Sequence, residues 1–518
     1  MVKSKSFLSV FALLTLLFLS TLAIPALAAG HNDEVTIGVQ VEPSKLNPIT
    51  YQDTETGFVL SAICDPLIEV NEEGEYTSKG AVIESYEVKE GGKVYVFHIK
   101  EGIEFHNGEK LTAEDVKFSY ESFMDKELAS PHRGYYKGIE DLELVDEFTL
   151  KVTLKEVNVI FLTSARLRDH VLPKDYIEEV GWDEYEKNPI GSGPYKFVDH
   201  KPGQKIILEK NEDYWGKEAN IEKVSFKFYP ELSSLIMALQ THEVDYVPEM
   251  PADKFMNLRK KENSGLSFGT YQKMEDHRIC FNKREDSIFS NKKLRQAVAY
   301  AVNRQELIAL TRGEMATPAV GRIPAFHPAS AEDAQAYEQD LDKAKQLLAE
   351  AGYPDGFKTA IFAPSGYNER VVEAQQIARQ LSQIGIDAEV KTLEWGTYLD
   401  VTAKGEAPMF RERWSGSTPS PYSFVEIWHP DSGWNDVFGD YENEQVTELL
   451  DQIKGTVDQK KRWELYHEVQ RIAMEDVASY PLYWPEVGDT YNAELQIPDN
   501  LWNVFMRPIY YINYWSFK

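Results

Sequence analysis

Phe105-His106-Asn107-Gly108-Glu109-Lys110-Leu111-Thr112-Ala113-Glu114-Asp115-Val116-Lys117-Phe118-Ser119-Tyr120 packs a strand end, a turn and a capped helix into sixteen residues. Upstream, the apolar run Val94 to Ile99 reads as a strand, and Asn107-Gly108 offers the positive-φ pair of a tight turn. Thr112 is placed as the helix N-cap. Asp115 follows three residues on, where its carboxylate reaches back to the cap N–H, and with Glu114 it complements the positive helix end. Val116, Tyr120 and Phe123 then line one helical face. His106, inside the turn, is read as structural.

The bulk numbers narrow the classes of function. At 518 residues the chain can bury several cores, so two or more lobes are expected. Its formal charge is −29, which repels nucleic acid and anionic lipid and removes both as partners. Lys3 and Lys5 precede an apolar stretch from Phe7 to Ile24, Pro25 breaks it, and Ala26-Leu27-Ala28 has the small-x-small form of a cleavage site. A signal peptide over 1–28 is expected, with the mature chain starting near Ala29 at a charge of −31 once Lys3 and Lys5 are gone. No Cys stands at the cleavage site for lipid attachment, and no later segment is long and apolar enough to span a bilayer. The address is therefore periplasmic or otherwise extracytoplasmic. Cys64 and Cys280, both in apolar runs, are read as separate buried thiols.

Further strings punctuate the chain. Val35 to Val41 reads as a strand leading to Glu42-Pro43-Ser44-Lys45-Leu46-Asn47-Pro48. Asn188-Pro189-Ile190-Gly191-Ser192-Gly193-Pro194-Tyr195-Lys196-Phe197 is a Gly/Pro hairpin entry, and Asn211-Glu212-Asp213-Tyr214-Trp215-Gly216 follows it. A β-α-β unit covers Val224–Tyr229, Leu232–His242 and Val244–Val247. Ser290 is placed as the cap of a helix that contains Leu294 to Arg304, and Leu341 to Ala351 is a second helix ended by Gly352. No internal repeat or low-complexity segment interrupts this plan.

With the Phe105 to Tyr120 unit, these strings resemble the solute-binding proteins that serve peptide and nickel ABC importers, over nearly the whole mature chain. The resemblance implies an α/β, two-lobed periplasmic binding protein fold of type II, large like the peptide-binding proteins and carrying an extra outer subdomain. Residues 34–68, 189–268 and 490–518 would form lobe I, 69–188 the extra subdomain, and 269–489 lobe II. It also implies hinge closure on a solute and delivery to ABC permease subunits in the membrane. A monomer is expected.

A ligand should sit where strands end. Lys358–Ala363 and Ile386–Leu393 read as parallel strands joined by a helix Glu369–Gln383, and Ala407–Arg413 as a third strand. Ligands in such sheets lie outside the carboxyl ends, so the loops beginning at Pro364, Glu394 and Trp414 should face one crevice. They carry Ser365, Gly366, Tyr367 and Asn368, then Trp395, Gly396, Thr397 and Tyr398, then Trp414, Ser415, Gly416 and Ser417. Aromatic walls with small residues between them suit an extended organic ligand held by main-chain hydrogen bonds.

Glu394-Trp395-Gly396-Thr397-Tyr398-Leu399 is similar to the same stretch in dipeptide-binding members, which implies ligand contacts at Trp395 and Tyr367. Two charged anchors of those members are missing. Ser365 stands where they place an Arg for the ligand carboxylate, and Ser417 follows Trp414-Ser415-Gly416 where they place an Asp for the ligand amine. A free dipeptide in that pose is disfavoured, because an unpaired buried charge costs several kcal/mol. Three ligands stay open: a longer or blocked peptide, an oligosaccharide or glycoside stacked on Trp395 and Trp414, or a peptide anchored by other charges, namely Glu55, Arg411 or Arg413.

Catalysis is not expected. Gly265-Leu266-Ser267-Phe268-Gly269 matches the Gly-x-Ser-x-Gly string of hydrolases, but more strand follows it rather than a helix, so it lacks the elbow that exposes the Ser. The eleven histidines are dispersed without metal-binding spacing. No cofactor or metal is called for. A secreted hydrolase on the same scaffold is the alternative of a different class.

Overall fold

A computed structural model describes residues 33–518 apart from 44, 52, 73, 163–169, 262–263, 416–419 and 504. The expected signal peptide, and Gly416 and Ser417 of the candidate site, lie outside the described residues. No helix among those described is long and apolar enough to cross a membrane.

From β1 (Glu34–Val39) the chain enters helix α1 (Thr54–Ile63), capped by Asp53. It then builds an outer antiparallel sheet from β2 (Ile83–Lys89), β3 (Val94–Ile99), β4 (Ile139–Asp146) and β5 (Thr149–Leu154), in the order β2-β3-β5-β4. Helix α2 (Ala113–Met124) packs on this sheet with Val116, Tyr120 and Phe123 inward. Its capping box is present: Thr112 accepts from the backbone, and Asp115 accepts from the Thr112 N–H at 2.9 Å. The turn before it differs from expectation. Only Gly108 has positive φ, at 85°, because the Gly108 N–H closes back on Phe105 O and leaves Asn107 in ordinary backbone.

The chain returns through β6 (Tyr195–Lys201), β7 (Lys205–Lys210) and β8 (Lys223–Phe228), and β8 lies parallel to β1. Helix α3 (Leu232–Gln240) leads to β9 (Tyr246–Met250), which starts later than the alternation of Val244 to Val247 suggests. β10 (Leu266–Gln272) and β11 (Glu275–Phe281) are separated only by Lys273 and Met274. Helix α4 (Lys292–Ala301) is capped by Asn291, not Ser290: the Ser290 hydroxyl is spent on Ser287 O inside a preceding 3-10 turn, while Asn291 accepts from Lys293 N at 3.0 Å.

Next come β12 (Ala316–Pro318), α5 (Leu341–Glu350), β13 (Phe357–Pro364), α6 (Asn368–Ser382), β14 (Ile386–Leu393), α7 (Trp395–Ala403) and β15 (Met409–Ser415). Helices α8 (Glu444–Gly455) and α9 (Gln459–Glu475) precede the long final member, β16 (Ser479–Asn492). One twelve-stranded sheet results, ordered β14-β13-β15-β11-β16-β9-β1-β8-β7-β6, with β10 and β12 also on β16. Residues 486–492 of β16 pair with β10 and β9, and residues 479–485 pair with β11 and β12, so a single strand serves both halves.

Separate apolar clusters flank each half, one around Ile37, Phe226 and Trp515, others around Ile279 and Leu381 and around Phe410 and Trp428. Each buried Leu, Ile or Phe in them contributes about 2 kcal/mol. Cys64 and Cys280 are free, buried and in different clusters. Away from β16 the contacts between the halves include the Val159 N–H donating to Lys454 O at 2.9 Å and Phe326 meeting Phe505 edge-on at 6.2 Å.

The strings that carry the family resemblance converge on one knot. His106 Nδ1 accepts from Gly191 N–H at 3.3 Å, so its Nε2 donates to Gly193 O at 3.0 Å. Gly193 N–H then donates to Ile63 O at the end of α1, an approach so close that a Cβ on Gly191 would lie 2.3 Å from that oxygen. Buried Asp65 accepts from Ser192 Oγ, Tyr214 Oη and Trp215 Nε1 at 2.9, 2.8 and 2.7 Å. Burial nonetheless pushes the Asp65 carboxyl up to about 7.

Candidate functional site

β13 and β14 run parallel and end together at Pro364 and Leu393, and Ser365 N–H donates to Leu393 O at 2.7 Å. Helices α6 and α7 start there, which brings Tyr367 and Trp395 edge-to-face at 5.5 Å between ring centres. Both rings stay open to solvent, at 37% and 38% exposure. Trp395 is the first residue of α7 rather than part of a loop, since Glu394 caps that helix by accepting from the Gly396 and Thr397 N–H groups. Ser365 and Gly396 are exposed beside the rings.

The pair is braced from below. The Arg370 guanidinium lies under Tyr367 and Trp395, and buried Glu412 holds it at 3.0 Å. Trp395 also stacks on Tyr398, whose hydroxyl donates to Arg411 O at 2.7 Å. Trp414 lies within β15, opposite Asp276, and packs on Trp434 and Phe438 at 5.4 and 5.5 Å. It is a ring of the lobe's cluster more than a loop residue.

Charges gather at the same end of the sheet. Glu275, the first residue of β11, pairs in register with Ser415, the last of β15. Its carboxylate takes Ser415 Oγ at 2.6 Å, His277 Nε2 at 2.9 Å, Arg413 at 3.4 Å and Lys273 at 3.8 Å. Burial would raise its pKa, but Lys273, His277 and Arg413 together hold it well below the usual carboxylate range. Arg413 is the exposed member, with 38% of its side chain open, and its guanidinium lies 5.6 Å from the Tyr367 ring centre. Arg411 is different: it is fully buried and bound to Glu373. Glu55 sits in the first turn of α1, where burial raises its pKa and Asp53 and Glu249 push the same way.

A deeper layer was not foreseen from sequence. Tyr483 Oη lies among His277 Nδ1 at 2.9 Å, Glu369 at 3.1 Å and Glu373. His277, Glu369 and Glu373 could by spacing hold a metal ion. Each carboxylate already has a guanidinium, however, Arg312 on Glu369 at 2.5 Å and Arg411 on Glu373, so a cation would meet two fixed positive charges. The available signal was Glu275-Asp276-His277-Arg278, four ionisable residues in a row inside a strand flanked by apolar residues. All four are buried.

A two-lobed sheet with a shared crossing strand and an aromatic, charge-lined edge is the layout of an extracytoplasmic solute receptor. The chain belongs to the bacterial extracellular solute-binding proteins, family 5, whose model matches residues 77–436. Curated relatives include the glutathione-binding protein GsiB of Salmonella typhi, 28% identical over 89% of this chain and 90% of its own. The oligopeptide-binding protein AppA of Bacillus subtilis is 27% identical over 93% of this chain and 91% of its own. The solved complex of AppA with a nonapeptide superposes with a TM-score of 0.75 at 25% identity, covering 94% of this chain and 99% of that one. The periplasmic binding protein DppA of Helicobacter pylori, solved with the peptide STSA, has a TM-score of 0.79 at 27% identity, covering 94% of this chain and 98% of that one.

Proposed function

We propose that the protein binds a peptide or peptide-like solute with a free carboxylate between its two halves and passes it to the membrane permease of an ABC importer. The observation that carries this reading is Arg413, a half-buried side chain with 38% of its surface open beside the exposed Tyr367–Trp395 pair. In dipeptide-binding relatives an Arg at the position of Ser365 serves that role. Here Arg413 reaches the same ring from β15, and it meets its carboxylate partner Glu275 at only 3.4 Å, a loose contact that a ligand carboxylate can compete for. The peptide-binding relatives named above favour this over a sugar.

The protein acts as a receptor without turning its solute over. Ser267 of the Gly-x-Ser-x-Gly string lies in β10, paired with Tyr491, and forms no elbow. The chain works as a monomer outside the cytoplasm after removal of residues 1–28. Lobe I comprises 34–68, 189–268 and 490–518, the outer subdomain 69–188, and lobe II 269–489; the separate clusters around Ile37 and Trp515 and around Ile279 and Leu381 support the division into lobes, while Ile49, Leu67 and Ile68 of lobe I pack into the core of the outer subdomain.

A thermal-shift screen of peptides, oligosaccharides and metal chelates tests the reading. Peptides with free carboxylates should raise Tm by several degrees. A gain with sugars or chelates alone, or release of peptide fragments seen by mass spectrometry, would overturn it.

A further inference from the structure

An unbroken line of alternating charges crosses the hinge. It runs Arg507, Glu249, Lys273, Glu275, Arg413, and its middle member occupies the link between β10 and β11. Lys273 Nζ is 2.7 Å from Glu249 in the first half and 3.8 Å from Glu275 in the second. Its backbone is fixed to the crossing strand, donating to Pro485 O at 3.1 Å, so the ammonium is carried by the hinge itself.

The fold goes to some length to aim Glu249 there. Pairing of β9 with β16 slips between Val247 and Met250, a bulge that re-aims a side chain. Glu249 has φ +46°, and its partner Arg507 has φ +53°, both left-handed without being glycine. Such backbone is costly and persists where surrounding bonds over-determine it. The Glu249 N–H is held by Asp489 Oδ1 of β16 at 2.7 Å, and the Glu249 carboxylate by Arg507 and Lys273.

We propose that Lys273 is the clasp that sets the opening of the two halves, and that a solute anion on Arg413 tightens it. The second clause rests on the function proposed above. Arg413 and Lys273 compete for Glu275. A ligand carboxylate that takes up Arg413 weakens its bond to Glu275, whose charge then falls to Lys273 and strengthens the link across the hinge. Closure thereby responds to ligand charge through residues that need not touch the ligand.

The test uses full-length protein labelled at Lys126→Cys and Lys460→Cys, with single-molecule distances between the halves. Lys273→Gln should lower the closed-to-open ratio of ligand-free protein about fivefold, and Glu249→Gln should do the same. For tetrapeptides with free and amidated C-termini, both variants should also shrink the preference for the free acid about threefold. Unchanged distances in both variants would overturn the clasp. An unchanged acid preference would overturn its coupling to ligand charge. If wild-type protein binds neither form of peptide, the proposed function fails, while the ligand-free distances still decide whether Lys273 is a clasp.

Discussion

The Arg370 guanidinium carbon lies 4.3 Å from the centre of the Tyr367 ring, one helical turn away, and 5.6 Å from that of Trp395. One buried cation thus supports both exposed rings from the protein side, a cation–π arrangement strengthened by desolvation. Its cost is borne by Glu412, which accepts from Arg370 Nη1 and the Arg413 N–H.

Arg370→Ala should therefore destabilise the protein by about 3–5 kcal/mol, because it strands the Glu412 charge in the interior. Chemical denaturation reads this directly. Arg370→Ala,Glu412→Gln should recover part of the loss, whereas an additive double variant would show that the pair is not coupled.

Trp395→Ala and Tyr367→Ala should behave in the opposite way. Both rings are more than a third exposed, so stability should change by no more than about 1 kcal/mol. Affinity for the bound solute should fall at least about tenfold, as expected for aromatic anchors. Calorimetric titration beside thermal unfolding separates the two effects.

Glu426 gives a pH signature. Burial raises its pKa from 4.5 to about 7, only partly offset by Lys454 and Arg322. Between those values the folded chain keeps a proton that the unfolded chain releases, so stability from this group is present below pH 4.5 and lost as pH rises to 7. Glu426→Gln should match wild type at pH 4, gain on it steadily up to neutrality, and hold a constant advantage beyond. Asp65 and Asp489, raised in the same direction, are common to both proteins and cancel in the difference in Tm. A flat difference would refute the assignment.

Gly191→Ala should cost at least about 2 kcal/mol, since the new Cβ would press on the Ile63 carbonyl oxygen, which is backbone and cannot swing aside. Gly134→Ala, where a Cβ meets nothing, serves as the control. Equal unfolding midpoints for the two would contradict the close approach.

Much of the scaffold was legible because its determinants are local. Thr112 and Asp115 form their box within one turn, and the strand-helix-strand pattern from Phe357 to Leu393 carries its own parallel pairing. The charged layer was not legible, because its logic is pairwise over long separations. Arg411 reads as a candidate ligand anchor until Glu373 is seen beside it, and Arg370 and Glu373 take interior positions on α6 beside Ala374 and Ile377. Helical periodicity assigns charges to solvent, and here tertiary partners reverse that assignment. Trp395 was legible as an aromatic of the strand ends, but its place as the first residue of a helix depended on Glu394 acting as a cap.

The crossing strand β16 also governs when this molecule can fold. Its partners β9, β10, β11 and β12 are all synthesised before residue 479, yet both halves lack their shared neighbour until that segment exists. The native sheet thus closes through contacts of very long sequence separation, the kind that slows folding. A chain emerging from the ribosome therefore stays short of its final pairing for most of its synthesis, and neither half can lock before the last tenth of the sequence has appeared.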